Sequence, residues 1–160
     1  MDDKRLFYLI HRVHGKLIHG LDQFLWDRLQ VTSAQLMALF YIRDHDGCLL
    51  KDLGEGIQLK SSGITGLVRR MEKNGLISRK TCPHDGRGFR IYISPEGERI
   101  ASGAMPMVAA LNGMIHEGFS VEEMETVFRF LNTLLERVSG DLFSGLGQGG
   151  QDNGGSGPAA

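Results

Sequence analysis

Cysteine is scarce. The 160 residues hold two, Cys48 and Cys82, which form neither a disulfide framework nor a metal-binding spacing. A small secreted scaffold and a zinc finger are thereby excluded. Long apolar runs are absent too, and none approaches the ~18 residues of a membrane-spanning helix. The opening Met1-Asp2-Asp3-Lys4-Arg5 lacks the basic-then-apolar layout of a signal peptide. A cytoplasmic protein with reduced thiols and no membrane partner is the expectation. What is present is ordinary for a globular chain: 41% hydrophobic, 23% charged and 8% aromatic residues, at a one-domain length.

Net charge is nearly absent as well, at −1, but that value hides a division. Between Lys60 and Arg90 lie Lys60, Arg69, Arg70, Lys73, Arg79, Lys80, Arg87 and Arg90, against only Glu72 and Asp85. That segment carries eight positive and two negative charges, +6, so the remainder carries −7. A positive block this concentrated points one face of the protein toward a polyanion. The alternative is a merely solvated helix face.

Apolar spacing locates the elements. Residues 4–26 predict a helix with two apolar stripes, one through Leu6, Ile10, Val13, Leu17, Leu21 and Phe24, the other through Phe7, His14, Ile18 and Leu25. Two stripes on a first helix call for a second subunit. Thr32 and Gln35 have capping-box spacing at the start of the next helix, which ends at Asp44-His45-Asp46-Gly47. Cys48-Leu49-Leu50 reads as a stub of strand. Lys51–Ile57 and Ser61–Asn74 read as two short helices around a tight turn, with Leu53, Ile57, Ile64, Leu67, Val68 and Met71 as their shared core and Gly75 as the terminal cap. This is a helix-turn-helix, whose second helix fits a DNA major groove. Strands at 76–81 and 89–93 flank a tip with Pro83, Gly86 and Gly88, making a wing. In the second strand Phe89, Ile91 and Ile93 are expected on one face, Arg90 and Tyr92 on the other. Ser94-Pro95 opens a long helix to about Gly118, kinked at Pro106. A second capping box, Ser120 with Glu123, starts a last helix to about Val138. Eight glycines between Gly140 and Gly157 mark a flexible tail. The expected organisation is one body over 1–139, with dimerisation helices at about 4–26 and 95–138 and a DNA-binding lobe at about 32–94, followed by the tail over 140–160.

Several stretches then converge. Val31-Thr32 with Gln35 and Leu39, the segment Leu53–Leu59 with Ser62, Ile64 and Thr65, and Met71-Glu72-Lys73-Asn74-Gly75-Leu76-Ile77 with Arg79 follow one another in order. After Pro83, the wing residues Asp85, Arg87, Ile91, Ile93, Ser94 and Gly97 follow a D-x-R-x-x-x-I-x-L-[ST]-x-x-G pattern, with Ile93 in the place of its leucine. Over roughly residues 5–138 the sequence resembles the MarR family of bacterial transcription regulators. The resemblance implies a mainly α fold of six helices with a small β-hairpin wing, a winged helix-turn-helix, in an intertwined homodimer. It implies no enzymatic activity and no cofactor. It also implies an effector crevice between the first, second and fifth helices. Gly63 and Gly66 stand where the family often has threonine and arginine. The first helix lacks the cysteine of the family's peroxide sensors.

The candidate site follows from both readings. Lys60, Ser61, Ser62 and Thr65 occupy the first turn of the second short helix, where phosphates and bases are met. Arg69 lies one turn on from Thr65, and Arg70 and Arg90 add charge toward phosphate. Glycines at 63 and 66 allow close approach but leave few side chains to read bases. Arg87 at the hairpin tip suits a narrow minor groove, with Asp85 placed to hold its guanidinium. His11 and His14, three apart, could share a helix face, but no third group completes a metal set. With Phe40 and Met107 they outline a candidate effector site, suited to an aromatic ring bearing a carboxylate. Three functions are separable: a dimeric regulator binding pseudo-palindromic double-stranded DNA, most simply a repressor released by a small ligand; a winged-helix protein-protein module (an anti-regulator) without DNA binding; and a metal- or thiol-dependent enzyme, for which no nucleophile, base and oxyanion set assembles.

Overall fold

The computed structural model describes residues 3–81 and 89–139. The expected tail and the wing tip with Cys82, Asp85 and Arg87 lie outside them. Helices α1 (Leu6–Leu29) and α2 (Ser33–Asp44) lead into strand β1 (Cys48–Leu49), helices α3 (Leu50–Gly56) and α4 (Ser61–Lys73), strands β2 (Ile77–Thr81) and β3 (Phe89–Ile93), and helices α5 (Pro95–His116) and α6 (Val121–Ser139). The described backbone divides into two compact units that part between Ala109 and Ala110.

In the first unit, local chemistry fixes most element ends. The α2 capping box forms as the spacing predicts: the Gln35 amide donates to Thr32 Oγ1 at 3.3 Å, and the Thr32 amide donates to Gln35 Oε1 at 2.9 Å. A further partner comes from α1, where Asp22 Oδ1 accepts from the Ser33 amide at 2.6 Å. Helix α1 begins later than expected and runs three residues further. It stops where Gln30 takes a left-handed conformation, φ 55°, and its amide closes on the Trp26 carbonyl.

Helix α3 ends in a left-handed residue that is not glycine. Gln58 sits at φ 57°. The Leu59 amide reaches back to the Gly54 carbonyl at 2.8 Å, and the Gln58 amide to Glu55 at 3.2 Å. This paired closure is a Schellman motif, and it makes the turn between α3 and α4. The same closure ends α4 at Gly75, φ 72°, with Leu76 donating to Met71 and Gly75 to Glu72, both at 2.9 Å. Gly47, φ 79°, makes the left-handed turn before β1.

The sheet has three strands rather than a hairpin and a separate stub. β3 lies in the middle, antiparallel to both β1 and β2, with Ile91 opposite Cys48 on one side and Arg79 on the other. Leu50 belongs to α3, not to β1, because the β1 ladder ends at Leu49 opposite Arg90. Leu76 precedes β2, its amide already committed to closing α4. The core gathers Leu25, Val31, Leu36, Leu39, Ile42, Leu53, Ile64, Leu67, Val68, Met71 and Ile91, with Ile100, Ala101 and Ala104 of α5. Phe89 does not join Ile91 in that core; it is 48% exposed, with the Arg79 guanidinium 5.3 Å from its ring centre. α5 runs on through Pro106, which lies inside the helix.

In the second unit the end of α5 closes at Gly118, φ 86°. The Ser120–Glu123 capping box forms, with bonds of 2.8 and 3.2 Å. His116 meets Phe128 edge-on, ring centres 5.5 Å apart. α6 has no buried residue, and Val127, Phe128, Phe130, Leu131 and Leu135 stand exposed.

Candidate nucleic-acid interface

Helix α4 is two-sided because its apolar residues recur at threes and fours. Ile64, Leu67, Val68 and Met71 are buried against the core. That burial turns Ser61, Ser62, Thr65, Arg69 and Arg70 outward, and all five are exposed. Lys60 is the N-cap, extended and exposed, and makes no side-chain cap bond. The leading amides of α4 thus lack a side-chain cap and have Lys60 and two exposed serines beside them, an arrangement that favours phosphate. Thr65 Oγ1 donates to the Ser61 carbonyl at 2.9 Å, so its oxygen is presented as an acceptor.

The two glycines of α4 have no internal reason to be glycine. A Cβ on Gly63 would meet only the Leu59 side chain at 3.9 Å, and one on Gly66 only the Arg70 guanidinium at 3.4 Å. Both are ordinary contacts. Gly54 differs: its Cβ would lie 3.2 Å from the Leu59 carbonyl, inside the helix-turn-helix. The space left by Gly63 and Gly66 opens outward, beside Ser62 and Thr65.

At the wing root, Lys80 and Arg90 sit directly opposite each other across the β2–β3 ladder. Like charges so placed repel. Each has a local compensation. Arg90 Nη1 donates to the Gly47 carbonyl at 2.8 Å, and the Lys80 ammonium lies 4.6 Å from the Tyr92 ring centre. Arg90 therefore anchors the wing to the turn before β1 while its remaining N–H groups stay available to an anion. Arg79 is less free. Its Nε donates to Glu72 Oε2 at 2.8 Å and its Nη2 pairs with the same oxygen. This contact holds the Glu72 carboxyl below its ordinary range and ties β2 to the end of α4.

The other candidates are more scattered. His11 and His14 are exposed on α1, while Phe40 and Met107 are half-buried on α2 and α5. The Arg43 guanidinium lies 5.4 Å from the Phe40 ring centre. No bond or ring contact joins these four residues. Among the described residues, no three His, Cys, Asp or Glu side chains gather as a metal site. No described helix is long and apolar enough to cross a membrane. Cys48 is buried, and desolvation raises its thiol above the ordinary range, which suits an inert core thiol. Sequence reasoning missed the Asp22–Ser33 and Arg90–Gly47 contacts, which join residues distant in the chain.

A family model described as MarR family matches residues 31–89. The organic hydroperoxide resistance transcriptional regulator of Bacillus subtilis is 31% identical over 114 residues, covering 71% of this chain and 76% of that protein. Among solved structures, the S. aureus MepR–DNA complex superposes with a TM-score of 0.79 at 21% identity, covering 85% of this chain and 99% of that one. The PcaV regulator of Streptomyces coelicolor in complex with its natural ligand gives 0.73 at 21% identity, covering 86% and 98%. The fold and its outward basic helix define a winged helix-turn-helix protein. The chain belongs to the MarR family and is a transcriptional regulator of that family.

Proposed function

We propose that this regulator is a homodimer that binds pseudo-palindromic double-stranded DNA and represses by occupying it, with a small ligand modulating its affinity. The observation that carries DNA binding is α4: an uncapped, glycine-lightened first turn with Lys60, Ser61, Ser62 and Thr65, followed by exposed Arg69 and Arg70. Arg90 and Lys80 extend the positive surface along the wing root. Asp85 and Arg87 are assigned to the wing tip, on sequence grounds. The DNA in the MepR complex supports this reading.

The dimer is supported by apolar surface that one chain leaves uncovered. On α1, Phe7 is 86% exposed, and Leu6, Val13 and Leu17 also stand out. The apolar face of α6 is equally bare. Surface of this extent marks an interface. Twofold pairing would set the two α4 helices about one DNA turn, ~34 Å, apart. The effector assigned to the His11, His14, Phe40 and Met107 neighbourhood is an aromatic acid; that PcaV is in complex with its natural ligand supports a small ligand for this fold. The ligand acts only through its preference for one half-site spacing over the other.

A gel-shift against duplex DNA with heparin as competitor tests the reading. A complex that survives heparin supports sequence-specific binding. Complete loss to heparin at every DNA sequence, with a stable protein partner captured instead, favours the interaction-module alternative.

A further inference from the structure

A cleft of about 290 Å3 opens where the α1–α2 turn, the end of α4 and the start of α5 meet. That volume lies at the small end of ligand sites. Its apolar wall includes Leu29, Leu76 and Ile100, and its polar groups are Gln30, Asn74 and Glu96. It is a different place from the histidine neighbourhood on α1.

The chemistry of the lining limits the occupant. Gln30 Nε2 donates one N–H to the Trp26 carbonyl at 2.6 Å, which leaves its second N–H and its oxygen for a ligand. Asn74 offers a second amide. Glu96 accepts two bonds from Arg99, at 2.8 and 2.6 Å, so the charges of that pair cancel. No lining residue is cationic. A carboxylate entering the cleft would meet only neutral amides and a compensated carboxylate, with no lining cation to offset its desolvation. An uncharged molecule with an apolar body and an amide, which both donates and accepts, matches the two side-chain amides and the apolar wall.

We propose that this cleft is a binding site for a small uncharged amphiphile, an aromatic amide in type. Its walls also adjoin the joint between α4 and α5. Asn74 precedes Gly75, whose carbonyl accepts from the Ser94 hydroxyl at 2.6 Å; Glu96 precedes Gly97, whose amide donates to that hydroxyl at 2.9 Å. A molecule bridging Asn74 and Glu96 therefore bears on the seat of α4. The effect on DNA rests on the regulatory reading given above; the binding does not.

The test is a methyl NMR titration of the full chain with two matched probes, phenylacetamide and phenylacetate. The amide shifts the methyls of Leu76 and Ile100 with a Kd on the order of 1 mM, the range open to so small a molecule, while the acid leaves them in place. Asn74→Ala, at an exposed position, keeps the fold and weakens the amide about tenfold, the worth of one hydrogen bond. Equal binding of the acid, shifts centred elsewhere, or none with the amide overturns the site and leaves the regulatory reading standing. Amide binding at the cleft with unchanged DNA affinity keeps the site and overturns its coupling to α4.

Discussion

The Ser94 hydroxyl donates to the Gly75 carbonyl at 2.6 Å while accepting from the Gly97 amide at 2.9 Å. One oxygen thus caps α5 and secures the glycine that ends α4. Ser94→Ala is expected to cost about 1–2 kcal/mol of stability, the upper range for a lost cap. Ser94→Thr restores most of it. Urea unfolding of the three proteins checks the order.

Gly97 tolerates no side chain. A Cβ there would lie 2.2 Å from the Leu76 carbonyl and 3.0 Å from Ile93 and Leu39 side chains. Backbone cannot step aside as a side-chain end can. Gly97→Ala is expected to destabilise by about 3 kcal/mol or more. A melting temperature equal to that of the parent would contradict this packing.

Gly63 and Gly66 present the opposite case. Each has room for a methyl group inside the fold, and glycine in a helix costs about 1 kcal/mol relative to alanine. Gly63→Ala and Gly66→Ala should each raise stability by roughly 0.5–1 kcal/mol while weakening DNA binding, because the added methyl stands toward the groove. Stabilised variants with unchanged affinity would remove close approach from the account.

The Glu72–Arg79 pair gives a pH signature. Its hydrogen bond depresses the folded-state pKa of Glu72 below the ordinary 4.5. The stability it contributes is therefore present above that ordinary value and is lost as pH falls through the lower folded value. Both side chains are 35% exposed, so the contribution stays within about 1 kcal/mol. Comparing melting temperatures of the parent and Glu72→Gln at neutral and strongly acid pH should show the difference shrinking in acid.

Much of this fold is legible in the sequence because its signals are local. Thr32 with Gln35, Ser120 with Glu123, Ser94 before Pro95, and the turn glycines Gly47 and Gly75 each act within a few residues, and the structure carries them out as spaced. Gln58 shows where local reading stops. The turn of the helix-turn-helix was evident, but not that a glutamine would take its left-handed position. Arg90 shows another limit: its sequence neighbours mark it as a cation on a strand, whereas its bond to Gly47 spans 43 residues. The sheet's third strand depends on the same long-range closure. For the candidate site, the outward face of α4 followed from periodicity alone. The histidine neighbourhood has no connecting contacts: His11 and His14 are exposed on α1, while Phe40 and Met107 are half-buried on α2 and α5.

The wing tip offers a separable test of groove reading. Arg87→Ala is expected to weaken operator binding by about 1–3 kcal/mol with the melting temperature unchanged. Fluorescence anisotropy with a labelled duplex reads the first, and thermal unfolding the second.

The central claim, a twofold regulator reading DNA with paired α4 helices, is tested most directly by selecting bound duplexes from a random pool. The account predicts enrichment of an inverted repeat whose half-sites are centred about 10–10.5 base pairs apart. Enrichment of a single unsymmetrical site, or no enrichment above the starting pool, would contradict it.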